Sequence, residues 1–138
     1  TTLFRSAFCW LMGRVRALWE AGSPTLASRI KVLGNAFTEL SALGPANILY
    51  SDSEYLYAFA NRRTQSNGVM APPGLYYHQR HCEVDADAFE DAGVQLQGQP
   101  QDIVLFASVP LSAEQWQPFE ADQLVVCRDG TIVWSGQP

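Results

Sequence analysis

ANILYSDSEYLYAFA, residues 46–60, decides how the rest of the chain is read. Before it, apolar residues recur every three or four positions; within it they alternate. The first half, ANILYSD (46–52), and the second, YLYAFA (55–60), predict two strands joined by a tight polar turn near Asp52-Ser53. In the second strand Tyr55, Tyr57 and Phe59 share one face, and Leu56, Ala58 and Ala60 the other.

Upstream, the period is helical. Phe4, Phe8, Leu11, Val15 and Leu18 form one stripe, which predicts a helix from Leu3 to Ala21. Gly22 ends it. Ser23 is suited to cap a second helix and Pro24 to occupy its first position, where a missing N–H costs nothing. Leu26, Ile30, Leu33, Phe37 and Leu40 continue that helix until Gly44-Pro45 stops it. Two helices with so short a link form an antiparallel pair.

Downstream, NRRTQSNGVMAPP (61–73) reads as loop, GLYYHQR (74–80) as a strand and residues 81–101 as a long acidic surface loop. DIVLFAS (102–108) reads as a buried strand. LVVC (124–127) and TIVW (131–134), joined at Asp129-Gly130, make a closing hairpin. The expectation is one α+β domain over 1–138, with helices over about 3–43 and a mostly antiparallel sheet of six strands over about 46–134.

Charge narrows the function classes. Residues 1–50 carry five basic and two acidic side chains, whereas 51–100 carry three and seven, and 101–138 one and five. An acidic body repels phosphate, so no nucleic-acid partner is expected. No apolar run approaches the ~18 residues of a membrane span, and no signal peptide is visible, so the expected location is cytoplasmic. Cys9, Cys82 and Cys127 are odd in number and far apart, which fits reduced thiols.

Several stretches invite a chemical reading. His78, His81 and Cys82 lie close together, yet positions 78 and 81 face opposite sides of a strand, and too few other donors exist to complete a metal site. Glu83, Asp85, Asp87, Glu90 and Asp91 lack the spacing of a calcium loop and read as a solvated acidic surface. Cys9, between Phe8 and Trp10, reads as a packed structural thiol. Thr1, if it is the true N-terminus, can act as a nucleophile with its own α-amino group as base. In FASVPLSAEQWQPF (106–119) a strand ends at Ser108, Pro110 breaks it, and Ser112 caps a short turn anchored by Trp116. There is neither a G-x-S-x-G elbow nor a phosphate-cradling glycine loop. No catalytic, substrate-binding or metal residue, and no cofactor, is assigned from the residues.

The order of five short motifs resembles the C-terminal half of the class-II glutamine amidotransferases, in particular the small stand-alone bacterial members. They are A-F-C-W-L (7–11), N-I-L-Y-S-D (47–52), L-Y-Y-H-Q-R (75–80), A-S-V-P-L (107–111) with Trp116, and L-V-V-C-R-D-G-T-I-V (124–133). The resemblance implies an N-terminal-nucleophile hydrolase sandwich, two antiparallel sheets with helices outside, here incomplete. It also implies glutamine as substrate and release of ammonia from it, using an N-terminal Cys and an Asn-Gly oxyanion stretch that lie upstream of the residues matched. Relatives enter the first helix through a T-D-S-E-like sequence whose Asp holds the α-amino group of glutamine; here the corresponding residues are Thr2, Leu3, Phe4 and Arg5. The expectation is therefore an amidotransferase-like domain without activity of its own. Such an incomplete sandwich leaves apolar sheet face to be covered by self-association or a partner. The competing expectations are a non-catalytic α+β association module and a hydrolase using Thr1.

Overall fold

The computed structural model describes residues 2–82 and 100–138; within the helices and strands, the side chains of Thr2, Leu3 and Cys82 are not described. The acidic residues Glu83, Asp85, Asp87, Glu90 and Asp91 lie outside the described residues, as does Thr1. The order is α1 (Thr2–Glu20), α2 (Leu26–Leu43), β1 (Asn47–Ser51), β2 (Leu56–Ala60), β3 (Arg63–Thr64), β4 (Met70–Ala71), β5 (Tyr76–Cys82), β6 (Gln101–Ala107), β7 (Gln117–Pro118), β8 (Gln123–Arg128) and β9 (Thr131–Gly136). The chain is thus α+β, with two helices and antiparallel sheets.

The helices run antiparallel: Trp19 meets Arg29, Arg14 pairs with Glu39 at 2.9 Å, and Phe4 and Ala7 lie beside Leu40 and Leu43. The cap of α2 is not Ser23 but Thr25, whose hydroxyl accepts from the N–H of Ser28 at 3.2 Å. Gly22, at φ 120°, closes α1 by donating to the Trp19 carbonyl, and Ser23-Pro24 is left as linker. With β-region backbone at Thr25, the first helical residue is Leu26.

The main sheet has the order β1-β2-β8-β9, all antiparallel. A second sheet, β6-β5-β7, packs on one of its faces, and the helices cover the other. Tyr57, Phe59, Leu124 and Val126 point toward the helices and meet Leu11, Val15, Leu33 and Phe37. Ala58, Ala60, Val125 and Cys127 point the other way, onto Leu75, Tyr77, Phe106 and Phe119. The alternation in residues 55–60 therefore sorts side chains between two cores. Small alanines on the sheet-to-sheet side leave room for the ring cluster, in which Tyr77 and Phe119 meet edge to face at 5.4 Å.

Three strand expectations change. Residues 61–73 contain a small hairpin, β3–β4: Asn67-Gly68 turns the chain, and the Gln65 amide donates to the carbonyls of Ala71 (2.6 Å) and Pro73 (3.1 Å). β6 is half-buried, not buried, because it is an edge strand covered on one face; Leu105 is 36% exposed. With β7 also formed by only two residues, nine strands are present among the described residues where six were expected. The closing hairpin turns at Asp129 (φ 50°) and Gly130 (φ 75°), the left-handed pair that matches strand twist.

Candidate functional site

The turn between β1 and β2 holds the most elaborate polar network. Asp52 sits one residue past β1. Its Oδ1 accepts from the backbone N–H groups of Glu54 (3.1 Å) and Tyr55 (2.8 Å), which folds the turn. Its Oδ2 accepts from the Tyr57 hydroxyl (3.1 Å) and from Nη1 of Arg29 (3.0 Å). Arg29 and Asp52 side chains are 6% and 4% exposed, and Glu54 adds a second carboxylate at 2.8 Å from the guanidinium. Trp19 covers the guanidinium at 4.7 Å, and Tyr55 lies between Arg29 and Arg128.

Burial by itself would raise the Asp52 pKa, but the donors from Tyr55, Glu54, Tyr57 and Arg29 outweigh it and hold the carboxyl below its ordinary range. Burial and the Asp52 charge push the Tyr57 phenol well above its usual value. Burial opposes the Arg29 cation, but Glu54 and Asp52 more than compensate and raise its pKa. Both carboxylates are engaged, so the network acts as a clamp between the start of α2 and the β1–β2 turn. Sequence reading missed it, although the signal was there: Arg29 stands on the same helix stripe as Leu33 and Phe37, where a charge demands a partner.

A second polar group joins α2, the end of β2 and the turn before β8. Asp122 Oδ1 accepts from the Asn61 amide (2.7 Å) and the Ser41 hydroxyl (3.0 Å), while Asn47 bonds Asn61 N–H and the Arg62 carbonyl. Among the described residues, the buried Asn61 Oδ1 has no partner.

A third lies on the outer face of the small sheet. His78 Nδ1 contacts the Gln115 carbonyl at 3.1 Å, Nε2 lies 3.6 Å from Glu114, and the ring stacks on Trp116 at 5.6 Å. The Ser112 hydroxyl donates to Glu114 (2.8 Å) and accepts from the Trp116 indole (3.1 Å). The expected strand exit anchored by Trp116 is present. The Ser112 hydroxyl donates its hydrogen bond to Glu114 and not to His78, so this is no serine–histidine pair. The Ser112 bond is the main reason the Glu114 carboxyl is held below its usual range, with help from Arg80 and His78. His81 turns to the opposite face and pairs with Asp102 at 2.7 Å. No group of three metal-ligating side chains comes together among the described residues.

The described thiols are poorly placed for nucleophilic work. Cys9 is exposed on α1, which corrects the expectation of a packed residue: the stripe of Phe4, Phe8 and Leu11 runs along another face. Cys127 is buried on β8, and burial pushes its thiol up to about 11. Phe4 is 81% exposed, and Arg5 beside it is exposed. Beside Phe4 an uncharged groove of about 390 Å³ runs between the helix ends and β1, lined by Phe4, Ala7, Leu40, Leu43, Ile48 and Leu49 among others.

Two helices against one face of an antiparallel sheet, with a second sheet on the other face, define a layered α+β protein with structural polar clamps. The chain belongs to the glutamine amidotransferases of class II: the sequence model of that family matches residues 2–138. An uncharacterized protein of Methanocaldococcus jannaschii is 26% identical over 99 residues, which are 72% of this chain and 27% of that relative. The chain thus spans little more than a quarter of the length of the curated relative it matches. Comparison with solved structures finds no match. No described helix is long and apolar enough to cross a membrane.

Proposed function

We propose that the chain is a helix-and-sheet portion of a glutamine amidotransferase domain of the N-terminal-nucleophile type. In this reading it serves release of ammonia from the side-chain amide of glutamine, and residues 1–138 do not perform that release unaided. The reaction needs a thiolate or activated hydroxyl to attack the amide carbon, a base within hydrogen-bond reach and donors for the oxyanion. Support comes from the state of the thiols: Cys127 is buried and held protonated, and Cys9 stands on the surface of a helix with no described base beside it. Phe4 and Arg5 offer no carboxylate for the ammonium of glutamine.

The test is glutamate production by the 138-residue chain supplied with glutamine, followed by a coupled dehydrogenase. The expected rate equals that of buffer. Glutamine-dependent glutamate release that disappears in Cys9→Ala or in Thr1→Ala would overturn the proposal and name the nucleophile. The exposed groove at the helix ends favours a second reading, in which the fold serves association without catalysis.

A further inference from the structure

Of the four asparagines in the chain, at positions 35, 47, 61 and 67, only Asn67 is followed by glycine. The Asn67-Gly68 pair stands at the exposed tip of the β3–β4 hairpin. Asn35 is inside α2, Asn47 begins β1 and Asn61 is buried, and the residues after them, Ala36, Ile48 and Arg62, carry side chains that crowd the main-chain nitrogen. At Gly68 the surroundings are open: a methyl group built there would meet no atom within 4 Å. The turn at Asp129-Gly130 is closed in by comparison, since Gly130 packs against the Asp102 carbonyl.

Two contacts at the hairpin tip bear on the side-chain amide of Asn67. The Val69 N–H donates to Asn67 Oδ1 at 3.0 Å. A nucleophile that adds to Asn67 Cγ pushes charge onto that oxygen, where a fixed N–H already waits to stabilise it. The main-chain nitrogen of Gly68 is such a nucleophile. It reaches Cγ by closing a five-membered ring, and being tethered it needs no encounter. What holds it back is its hydrogen bond to the Gln65 carbonyl, at 2.9 Å. The hairpin that fixes this bond has two paired positions, Arg63 with Ala71 and Thr64 with Met70, so its tip opens readily.

We propose that Asn67 is a site of spontaneous deamidation that opens the β3–β4 hairpin. A solvent base takes the proton from the Gly68 nitrogen, which attacks Asn67 Cγ. The bond from Cγ to the side-chain nitrogen breaks, and that nitrogen takes up a proton and leaves as ammonia. Water then opens the cyclic imide at either carbonyl, giving aspartate or isoaspartate. One water is consumed for each ammonia released, and no further reactant enters. Isoaspartate routes the main chain through the former side chain and lengthens it by one methylene. The bonds that span the turn, from Gly68 N–H to Gln65 and from Gln65 N–H to Val69 at 2.8 Å, then lose their register. The reaction is internal to the turn and does not depend on whether glutamine is a substrate.

The experiment holds the folded 138-residue chain at a fixed temperature below its unfolding midpoint, in buffers from neutral to mildly alkaline pH. Digested peptides are followed by mass spectrometry, with electron-based fragmentation to separate isoaspartate from aspartate. The peptide containing Asn67 should gain one mass unit and yield both products, at a rate that rises in proportion to hydroxide, while Asn35, Asn47 and Asn61 stay intact. Hydrogen exchange of the Gln65 amide should accelerate in the converted fraction. Gly68→Ala places a Cβ beside the attacking nitrogen and should lose most of the conversion. Because Gly68 has φ 79°, alanine there also strains the turn, so Asn67→Gln is measured beside it. That exposed change keeps the amide but demands a six-membered ring, and it too should lose most of the conversion. An Asn67 that stays intact overturns the inference, as does faster conversion at another asparagine or an Asn67→Gln variant that converts as fast as the parent. Conversion that leaves Gln65 exchange unaltered overturns the opening of the hairpin.

Discussion

Asp52→Asn is the most informative single change, because asparagine keeps the shape and reverses part of the hydrogen bonding. The carboxamide oxygen can still accept from the N–H groups of Glu54 and Tyr55 and preserve the turn. Its NH₂, however, takes the place of Oδ2 and faces two donors, the Tyr57 hydroxyl and Arg29 Nη1. A buried cation then keeps, as its one carboxylate, Glu54, which is 41% exposed, beside the Pro24 carbonyl that accepts from its Nε at 3.1 Å. Breaking one side of a buried pair costs about 3–5 kcal/mol. For a chain of this length that corresponds to a Tm drop of roughly 10–20 °C.

Arg29→Met should cost less, about 2 kcal/mol, the order of one charge-assisted hydrogen bond. Asp52 would retain three donors, and methionine can occupy the slot between Trp19 and Tyr55. The assay is urea and thermal unfolding followed by circular dichroism for both variants and the double. The order should be Asp52→Asn, then Arg29→Met, and the double should cost less than the sum. If Asp52→Asn costs under about 1 kcal/mol, the network is not a clamp and the reasoning fails.

The same carboxyl makes stability depend on acid. Its folded pKa is depressed, so its contribution is complete above the unfolded value of about 3.9 and is lost as pH falls through the lower folded value. Parent stability should therefore decline below about pH 4 more steeply than that of Asp52→Asn, as urea midpoints would show. Gly130→Ala should destabilise by about 2 kcal/mol or more, since the new methyl would collide with the Asp102 carbonyl at a residue already in left-handed backbone. An unchanged unfolding midpoint would refute that packing. A thiol reagent should label Cys9 in the folded chain and reach Cys127 only as the protein unfolds, with mass spectrometry of digested peptides distinguishing the two; equal labelling under native conditions would contradict the burial of Cys127.

The layers were legible wherever period and punctuation agreed. The switch at Pro45, the two-faced alternation of Tyr57 to Ala60 and the Asp129-Gly130 hairpin are local signals, and the structure repeats them. The α2 cap was misjudged because Ser23 and Thr25 both suit the role, and backbone geometry chooses between them. β6 read as buried because Ile103, Val104, Leu105 and Phe106 form a continuous apolar run; whether a run is covered once or twice depends on its place in the sheet. The place of Arg29 on an apolar stripe signals that it needs a partner, but no window shows that the partner is Asp52, which stands on a different element. Nor does α1 bury its whole stripe: Leu11 and Val15 are covered while Phe4 and Phe8 lie beyond the sheet's reach, a matter of element length that periodicity does not encode.

The position of β2 has a consequence for the order of assembly. One of its neighbours, β1, is joined to it by a four-residue turn, whereas the other, β8, is synthesised more than sixty residues later. As the chain emerges, the helices and the first hairpin can come together while the alanine face and second edge of β2 still await β8 and the small sheet. Closing so distant a pair carries the entropy of a long loop, so the slow event in folding should be arrival of the last hairpin. During that interval the most apolar strand of the protein stands half-dressed, which is when a chaperone would have most to do.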